Sequence, residues 1–338
     1  MVPDPVVVLL LVNKTDDLTL QQLEYIVAVD TERHFARAAA SCHVTQPTLS
    51  MMIRRLEEEL DTQLFDRSRQ PVVPTDTGEQ VIAQARRVLR EAQLLTELVH
   101  RERGAVSGDL TLGIIPTLAP YLVPRFVGQF LERYPQVRLK MSEMRTEAIV
   151  EGLKQGRLDA GILVTPLPDR GIEAEALFYE EFFAYASTPQ AKGLLLPEDI
   201  DPNQLWLLEE GHCFRSQIMN LCELRRQAVV GFEYEAGSLE TLKRLVDQQQ
   251  GITILPELAV TQLTPPEAER LRAFAPPAPM REVSLVSHRP SLKRQVLTAL
   301  ARSIRAAVPP YMHEAARGRV VAVETGFPPT ADPRREES

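Results

Sequence analysis

The spacing of apolar residues changes along this 338-residue chain, and each change marks a different kind of structure. Between Leu18 and Glu59 the apolar positions recur at helical intervals. Leu20, Leu23, Ile26 and Val27 share one face, and "FARAAASC" at Phe35–Cys42 predicts a second, alanine-rich helix that permits close packing. After a turn at His43–Val44, Thr45 is placed to cap a third helix, with Pro47 tolerated in its first turn. Leu49, Met52, Ile53 and Leu56 would face inward from that helix. Two helices joined by a short turn, the second with a polar leading edge, predict a helix-turn-helix. The following "QLFDRSRQPVVPTDTGEQ" reads as a two-stranded ribbon, or wing, ending at a Thr77–Gly78 turn.

A long helix is then predicted from about Glu79 to Arg103. Val81, Ala85, Val88, Ala92, Leu95 and Val99 recur on it close to a heptad spacing, with Arg and Glu between them. A stripe of that length without a partner in its own small domain predicts dimerisation through this helix. From Gly108 the pattern alternates strand and helix: "DLTLGII", Ala119–Tyr134, "VRLKMSE", Thr146–Gln155 and "DAGILV" form a βαβαβ unit with a parallel sheet. A second set follows, with strands near Phe182–Ser187, Leu205–Leu208 and Gly231–Tyr234, a helix at Leu239–Gln249 and the strand "GITIL". Val283–Ser287 and the helix Ser291–Ala307 can return to the first sheet. Two such lobes leave a cleft suited to a small ligand. The fold class expected from this pattern is α/β: an N-terminal winged helix-turn-helix, a long linker helix, and a two-lobed Rossmann-like domain. The boundaries expected are an extension at 1–17, the winged helix-turn-helix at 18–78, the linker at 79–107, the two-lobed domain at 108–312 and a flexible tail at 313–338.

Composition narrows the function classes. The apolar run Val6–Val12 is far shorter than the roughly 20 residues of a membrane span, and it lacks a basic leader and a cleavage site. A cytoplasmic protein with no membrane partner is therefore expected. The formal net charge of −8 argues against indiscriminate binding to nucleic acid. Residues 18–75 carry six Arg and no Lys against eight acidic residues, so charge alone would not point to DNA. Three cysteines make no disulfide framework, and Cys42 reads as a small buried apolar residue. The other two lie nine positions apart in "EEGHCFRSQIMNLC". One histidine beside them gives no convincing zinc-ligand set, and no cofactor or metal is expected.

The segment "HFARAAASCHVTQPTLSMMIRRLEEELDTQLFDRS", followed by "TDTG" and a long helix, resembles the DNA-binding domain of LysR-type transcriptional regulators. Further along, "GIIPTLAPYLVP", "EEGHCFRSQIMNLC" and "SLETLKRLV" with "GITILPELAV" resemble the peroxide-sensing members of that family. The resemblance spans about Leu18–Met312, and the stretch Glu223–Gly237 departs from its pattern; it implies that 18–78 is a DNA-binding domain and 108–312 a periplasmic-binding-protein-like, redox-sensing regulatory domain. It implies a double-stranded DNA partner met by Thr45, Gln46, Pro47, Thr48 and Ser50 at the recognition-helix entry. Arg54 and Arg55 would reach phosphates, with Arg67 and Arg69 in the wing. It implies a homodimer or homotetramer that works with RNA polymerase and is not an enzyme.

The resemblance also implies hydrogen peroxide as the signal, with Cys213 and Cys222 as the redox pair. Cys213 is expected to open a helix, where backbone N–H groups and the nearby Arg215 favour a partly exposed, low-pKa thiolate. Thr117, Thr146 and His212 would orient the peroxide, and Arg215 and Gln217 would support the reactive segment. If Cys213–Cys222 is one helix, its ends lie about 13 Å apart. A disulfide needs Cα atoms within about 7 Å, so bond formation would require the segment to refold. Two other functions remain open at this stage: a regulator whose cleft binds a small anionic metabolite, and a thiol peroxidase-like enzyme.

Overall fold

The computed structural model describes residues 18–101, 106–169, 171–187, 193–222, 236–248, 251–288 and 293–322; for residue 90 and residues 93–101 it describes the backbone alone. The chain divides into two compact units, Met1–Ala105 and Val106–Ser338. The expected extension at 1–17, the strand expected at Gly231–Tyr234, and the side chains of Leu95 and Val99 in the heptad stripe fall outside what is described.

The first unit is helical. Helix α1 (Leu20–Glu32) begins at a reciprocal cap: Thr19 Oγ1 accepts from the Gln22 amide and the Gln22 side chain accepts from the Thr19 amide. Helix α2 (Phe35–Ser41) and α3 (Gln46–Glu59) follow, then a small antiparallel ribbon of β1 (Phe65–Asp66) and β2 (Val73–Pro74). Leu23, Ile26, Val29, Leu49, Ile53, Leu56 and Phe65 close the core. Leu20, grouped on one face with Leu23 and Ile26, is exposed, and Met52, expected to face inward, is half-buried.

Helix α4 spans Asp76–Arg101 and starts three residues earlier than expected. Thr77 and Gly78 are therefore its first turn, with Thr75 Oγ1 accepting from the Gly78 amide. Only glycine fits at 78, because a Cβ there would sit 2.0 Å from the Leu64 carbonyl oxygen. The apolar stripe of α4 is not free of local partners either. Ala85 is buried in this unit's own core and Val81 packs half-buried against it, next to the buried Ile82; Arg86 pairs with the buried Asp30 at 2.8 Å, and at Val88 the stripe turns outward.

The second unit is one continuous eight-stranded sheet bent into two lobes. Strands β3 (Gly108–Ile114), β4 (Val137–Glu143) and β5 (Ala160–Thr165) pair in parallel, joined by α5 (Ala119–Arg133) and α6 (Thr146–Lys154). This is the expected βαβαβ unit. The lobes are then joined by two strands longer than the pattern indicates, β6 (Ile172–Ala186) and, later, the antiparallel β9 (Ala278–His288). Their register shifts between Ala176 and Phe178, and the carbonyls of Ala176 and Leu177 accept from Arg305. The bulge thus turns β6 from one lobe into the other with its polar groups satisfied.

The second lobe adds α7 (Cys213–Leu221), α8 (Leu239–Gln248), β7 (Ile252–Pro256), short helices α9 (Glu257–Val260) and α10 (Pro265–Ala268), and β8 (Leu271–Ala273). The strand expected at Leu205–Leu208 reduces to isolated bridges from Leu205 to Ile252 and from Leu208 to Ala236. Helix α11 (Arg294–Ala307) packs back onto the first lobe, against α5 and β6. The tail expected from His313 onward is corrected for its first ten residues. Two 3-10 turns lead into β10 (Gly318–Val320), which pairs in parallel with β9. Residues 323–338 lie outside the described set.

Candidate functional site

Helix α7 is one nine-residue helix with His212 as its N-cap and Cys222 as its C-cap, so the two thiols stand at opposite ends of it. Both are free. The chain enters through Gly211 in the left-handed region at φ +90°, where a Cβ would collide with the Arg145 guanidinium. Arg145 pairs with Glu209, and His212 Nε2 lies 3.6 Å from the same carboxylate. Burial and the Arg145 charge hold the His212 pKa below its usual value.

The expectation of a partly exposed, low-pKa Cys213 does not hold. The residue is 9% exposed, and burial pushes its thiol pKa up. Arg281 and the Thr146 side chain oppose that shift, while Glu147 adds to it. Arg215 does not: its Nη1 donates to the Leu208 carbonyl at 2.7 Å and braces the entering loop instead. Cys222 is half-buried, and burial alone raises its thiol to about 11.

Arg281, from β9, is the residue that sequence reasoning missed. It is fully buried, donates from Nε to Glu180 Oε1 at 2.8 Å, and reaches Thr117 with Nη1 on the hydroxyl at 2.9 Å and Nη2 on the carbonyl at 3.2 Å. Its guanidinium also lies 4.9 Å from the centre of the Phe214 ring. One side chain therefore links the first lobe, both crossing strands and helix α7. A lone arginine in the apolar strand "APMREVSLVS", with a matching glutamate in "YEEFFAY", was the available signal, since a buried charge requires a partner.

Of the predicted support residues, Thr146 acts directly on the Cys213 thiol, Thr117 meets Arg281 and His212 caps the helix that Cys213 opens. Thr117, Thr146, His212 and Gln217 are all buried. Thr117 spends acceptor capacity on Arg281 but keeps its own proton to donate. Thr146 comes close enough to favour the Cys213 thiolate, yet its geometry falls short of a full hydrogen bond, and its hydroxyl is buried without a protein partner. Gln217 donates to the Val321 carbonyl at 2.9 Å, and its own carbonyl oxygen has no partner.

In the first unit, Thr45 caps α3: its hydroxyl accepts from the Thr48 amide at 3.4 Å and meets the Thr48 hydroxyl at 2.8 Å. Gln46, Pro47 and Thr48 are exposed on the leading edge, with Ser50 half-buried behind them. Met51, not anticipated, is 62% exposed on the same helix. Arg54 is exposed, whereas Arg55 pairs with Glu59 at 2.8 Å and Arg69 with Asp66 at 3.1 Å. Arg67 pairs with Glu57 at 2.7 Å and stacks 5.2 Å from the Phe35 ring centre. Among the described residues no group of three metal-ligating side chains assembles, and no helix is long and apolar enough to cross a membrane.

Two family models match: the bacterial regulatory helix-turn-helix protein, lysR family, over residues 20–79, and the LysR substrate binding domain over residues 103–309. The chain is 37% identical over 297 residues to the hydrogen peroxide-inducible genes activator of Dickeya chrysanthemi, covering 85% of this chain and 95% of that one. Its fold is similar to a full-length OxyR variant from Pseudomonas aeruginosa, with TM-score 0.73 and 34% identity over 85% of this chain and 97% of that one. It is also similar to a cysteine-to-serine OxyR variant from Corynebacterium glutamicum with hydrogen peroxide bound, with TM-score 0.56 and 28% identity over 86% and 92%. With its helix-turn-helix, its two-lobed sheet and these likenesses, the chain belongs to the LysR family of bacterial transcriptional regulators, in the branch of the hydrogen peroxide-inducible genes activators.

Proposed function

We propose that this regulator binds double-stranded DNA through the leading edge of α3 and senses hydrogen peroxide through Cys213, with Cys222 completing a reversible disulfide. The observation that carries this reading is the redox helix itself, which holds a thiol at each end and places the first beside a buried, unpartnered Thr146 hydroxyl and the Arg281 charge. A small polar oxidant satisfies that hydroxyl, and the Thr117 hydroxyl can donate to its second oxygen. The Cys213 thiolate attacks one peroxide oxygen and the O–O bond breaks. Sulfur loses two electrons to become the sulfenic acid, and the departing hydroxide takes up a proton as water. The Cys222 thiolate then attacks the sulfenic sulfur, the S–S bond forms and a second water leaves.

Each chain thus consumes one peroxide per switching cycle, which distinguishes a sensor from a peroxidase. The raised thiol pKa values keep both groups largely protonated at rest, so the Arg281 charge is what draws Cys213 toward its thiolate. Because the thiols stand at opposite ends of a single helix, the bond forms only if α7 unwinds, which converts the chemistry into a conformational change. The protein works in the cytoplasm as a homodimer or homotetramer that engages RNA polymerase, and it requires no metal or cofactor. DNA footprinting of reduced protein and of protein treated with stoichiometric peroxide, with thiols mapped in the same samples, tests the reading. The expected result is a Cys213–Cys222 disulfide with an altered footprint. Free thiols with an unchanged footprint would refute the sensor and leave the DNA-binding regulator standing.

A further inference from the structure

The C-terminal segment reaches the redox helix. After α11 the chain passes through two 3-10 turns, buries Met312 completely, and adds β10 alongside β9. Gly318 makes that pairing possible, because a Cβ there would lie 2.1 Å from the Ala278 carbonyl oxygen. Val321 then donates its amide to the Met280 carbonyl at 2.9 Å, one residue from Arg281. Its carbonyl accepts from Gln217 Nε2 of α7, also at 2.9 Å, and the Ala322 carbonyl accepts from Asn220 Nδ2 at 3.4 Å. The segment is anchored away from α7 as well. Arg317 pairs with Glu181 at 2.9 Å and Glu257 at 3.2 Å, and it stacks 4.7 Å from the Tyr311 ring centre. All of this lies beyond residue 309, where the family's regulatory-domain match ends.

Gln217 and Asn220 are both between the two cysteines. Gln217 is 0% exposed, and its carbonyl oxygen already lacks a partner, so the Val321 carbonyl supplies the one hydrogen bond described for that amide. A helix held by groups at its centre resists being unwound from its ends. Conversely, any rearrangement that brings the terminal cysteines from about 13 Å to within about 7 Å must displace the residues between them.

We propose that residues 310–322 form a strap that positions α7 in its reduced conformation, with Val321 and Ala322 acting as positioning residues through Gln217 and Asn220, and that disulfide formation frees the strap from the helix. The release half rests on the redox reading above; the positioning half does not. The strap gives the switch a second output, since the segment it lets go is paired to the strand that carries Arg281.

Hydrogen–deuterium exchange by mass spectrometry on the full chain, before and after stoichiometric hydrogen peroxide and with thiols mapped in parallel, tests both halves. Two shortened chains complete the comparison, one ending at Ala322, which keeps both carbonyls, and one ending at Arg317, which loses them. In the reduced state the shorter chain should exchange the α7 amides about tenfold faster than the longer, with β3 and β5 unchanged. Arg317→Gln, which loosens the anchor without shortening the chain, should move exchange the same way, and it replaces the shorter chain if that one fails to fold. Equal α7 exchange in all three overturns positioning whatever the thiols do. In the oxidised full chain, β10 should lose protection by about tenfold or more. A mapped disulfide with β10 protection intact overturns release. The absence of any disulfide refutes the redox reading and removes release with it, while the reduced-state comparison still decides positioning.

Discussion

At the scale of single residues, Cys213 is set by a contest between burial and one buried charge. Burial raises its thiol pKa above the free value, and Arg281 pulls it back. A raised acid pKa means that the folded protein disfavours the thiolate, so the reaction with peroxide should climb with pH through 7 to 9, where a free cysteine is already levelling off. Stopped-flow oxidation of wild-type protein against a Cys222→Ser variant measures the rise, and a plateau below pH 8 would contradict it. The same shift has a stability consequence of definite sign. Its contribution is complete below the unfolded-state pKa of about 8.5 and is lost as pH rises through the folded value. The melting temperature should therefore fall above pH 9, and less so in Cys213→Ser. Arg281→Met makes a separate point, because it leaves Glu180 buried and unpaired at the lobe junction. It should cost about 3–5 kcal/mol in urea unfolding, and Glu180→Gln in the same chain should recover part of the loss.

At the scale of elements, local contacts explain where the helices begin. Thr45→Ala removes the α3 cap and should cost about 1 kcal/mol while weakening DNA binding. Gly78→Ala should be worse, because its Cβ meets backbone rather than a side chain that can swing away, and a loss above about 2 kcal/mol is expected in thermal unfolding. These elements were readable in advance for the same reason: helix faces, the Thr45 cap and the alternating β3–β5 region are written in neighbouring residues. What escaped depends on partners far along the chain. The reach of β6 and β9 through both lobes is fixed by their mutual register and by a bulge satisfied by Arg305. A three-residue β10 has no pattern of its own and exists because β9 offers it an edge. The Cys213 environment is non-local in the same way, since the nearest basic residue in sequence, Arg215, turns to a loop carbonyl, and the charge that acts on the thiol arrives from β9.

At the scale of the whole molecule, a chain of net charge −8 meets a polyanion through the few cations that its helix-turn-helix edge offers. Four arginines are candidates at the α3 edge and wing, and three of them are already held by acidic partners: Arg55 by Glu59, Arg67 by Glu57 and Arg69 by Asp66. A phosphate must compete with those carboxylates, so part of the electrostatic gain of binding is offset by ion pairs that already exist. Such pairs near a surface contribute little, and exchanging them is feasible, but the number of contacts stays small. Each neutralised phosphate contributes about 0.9 to the slope of log K against log salt, which limits the slope to about −4 for each bound protomer and about −7 for a dimer. On the proposed DNA-binding reading, specificity comes disproportionately from the short polar residues Gln46 and Thr48 and from Met51, whose exposed side chain suits a thymine methyl. Fluorescence anisotropy across a KCl series measures the slope. Arg54→Ala should lower it by about one per protomer, whereas Met51→Ala should leave the slope unchanged and narrow the gap between operator and random DNA. A dimer slope much steeper than −7 would mean that basic residues elsewhere in the chain reach the duplex, and that the α3 edge is only part of the interface.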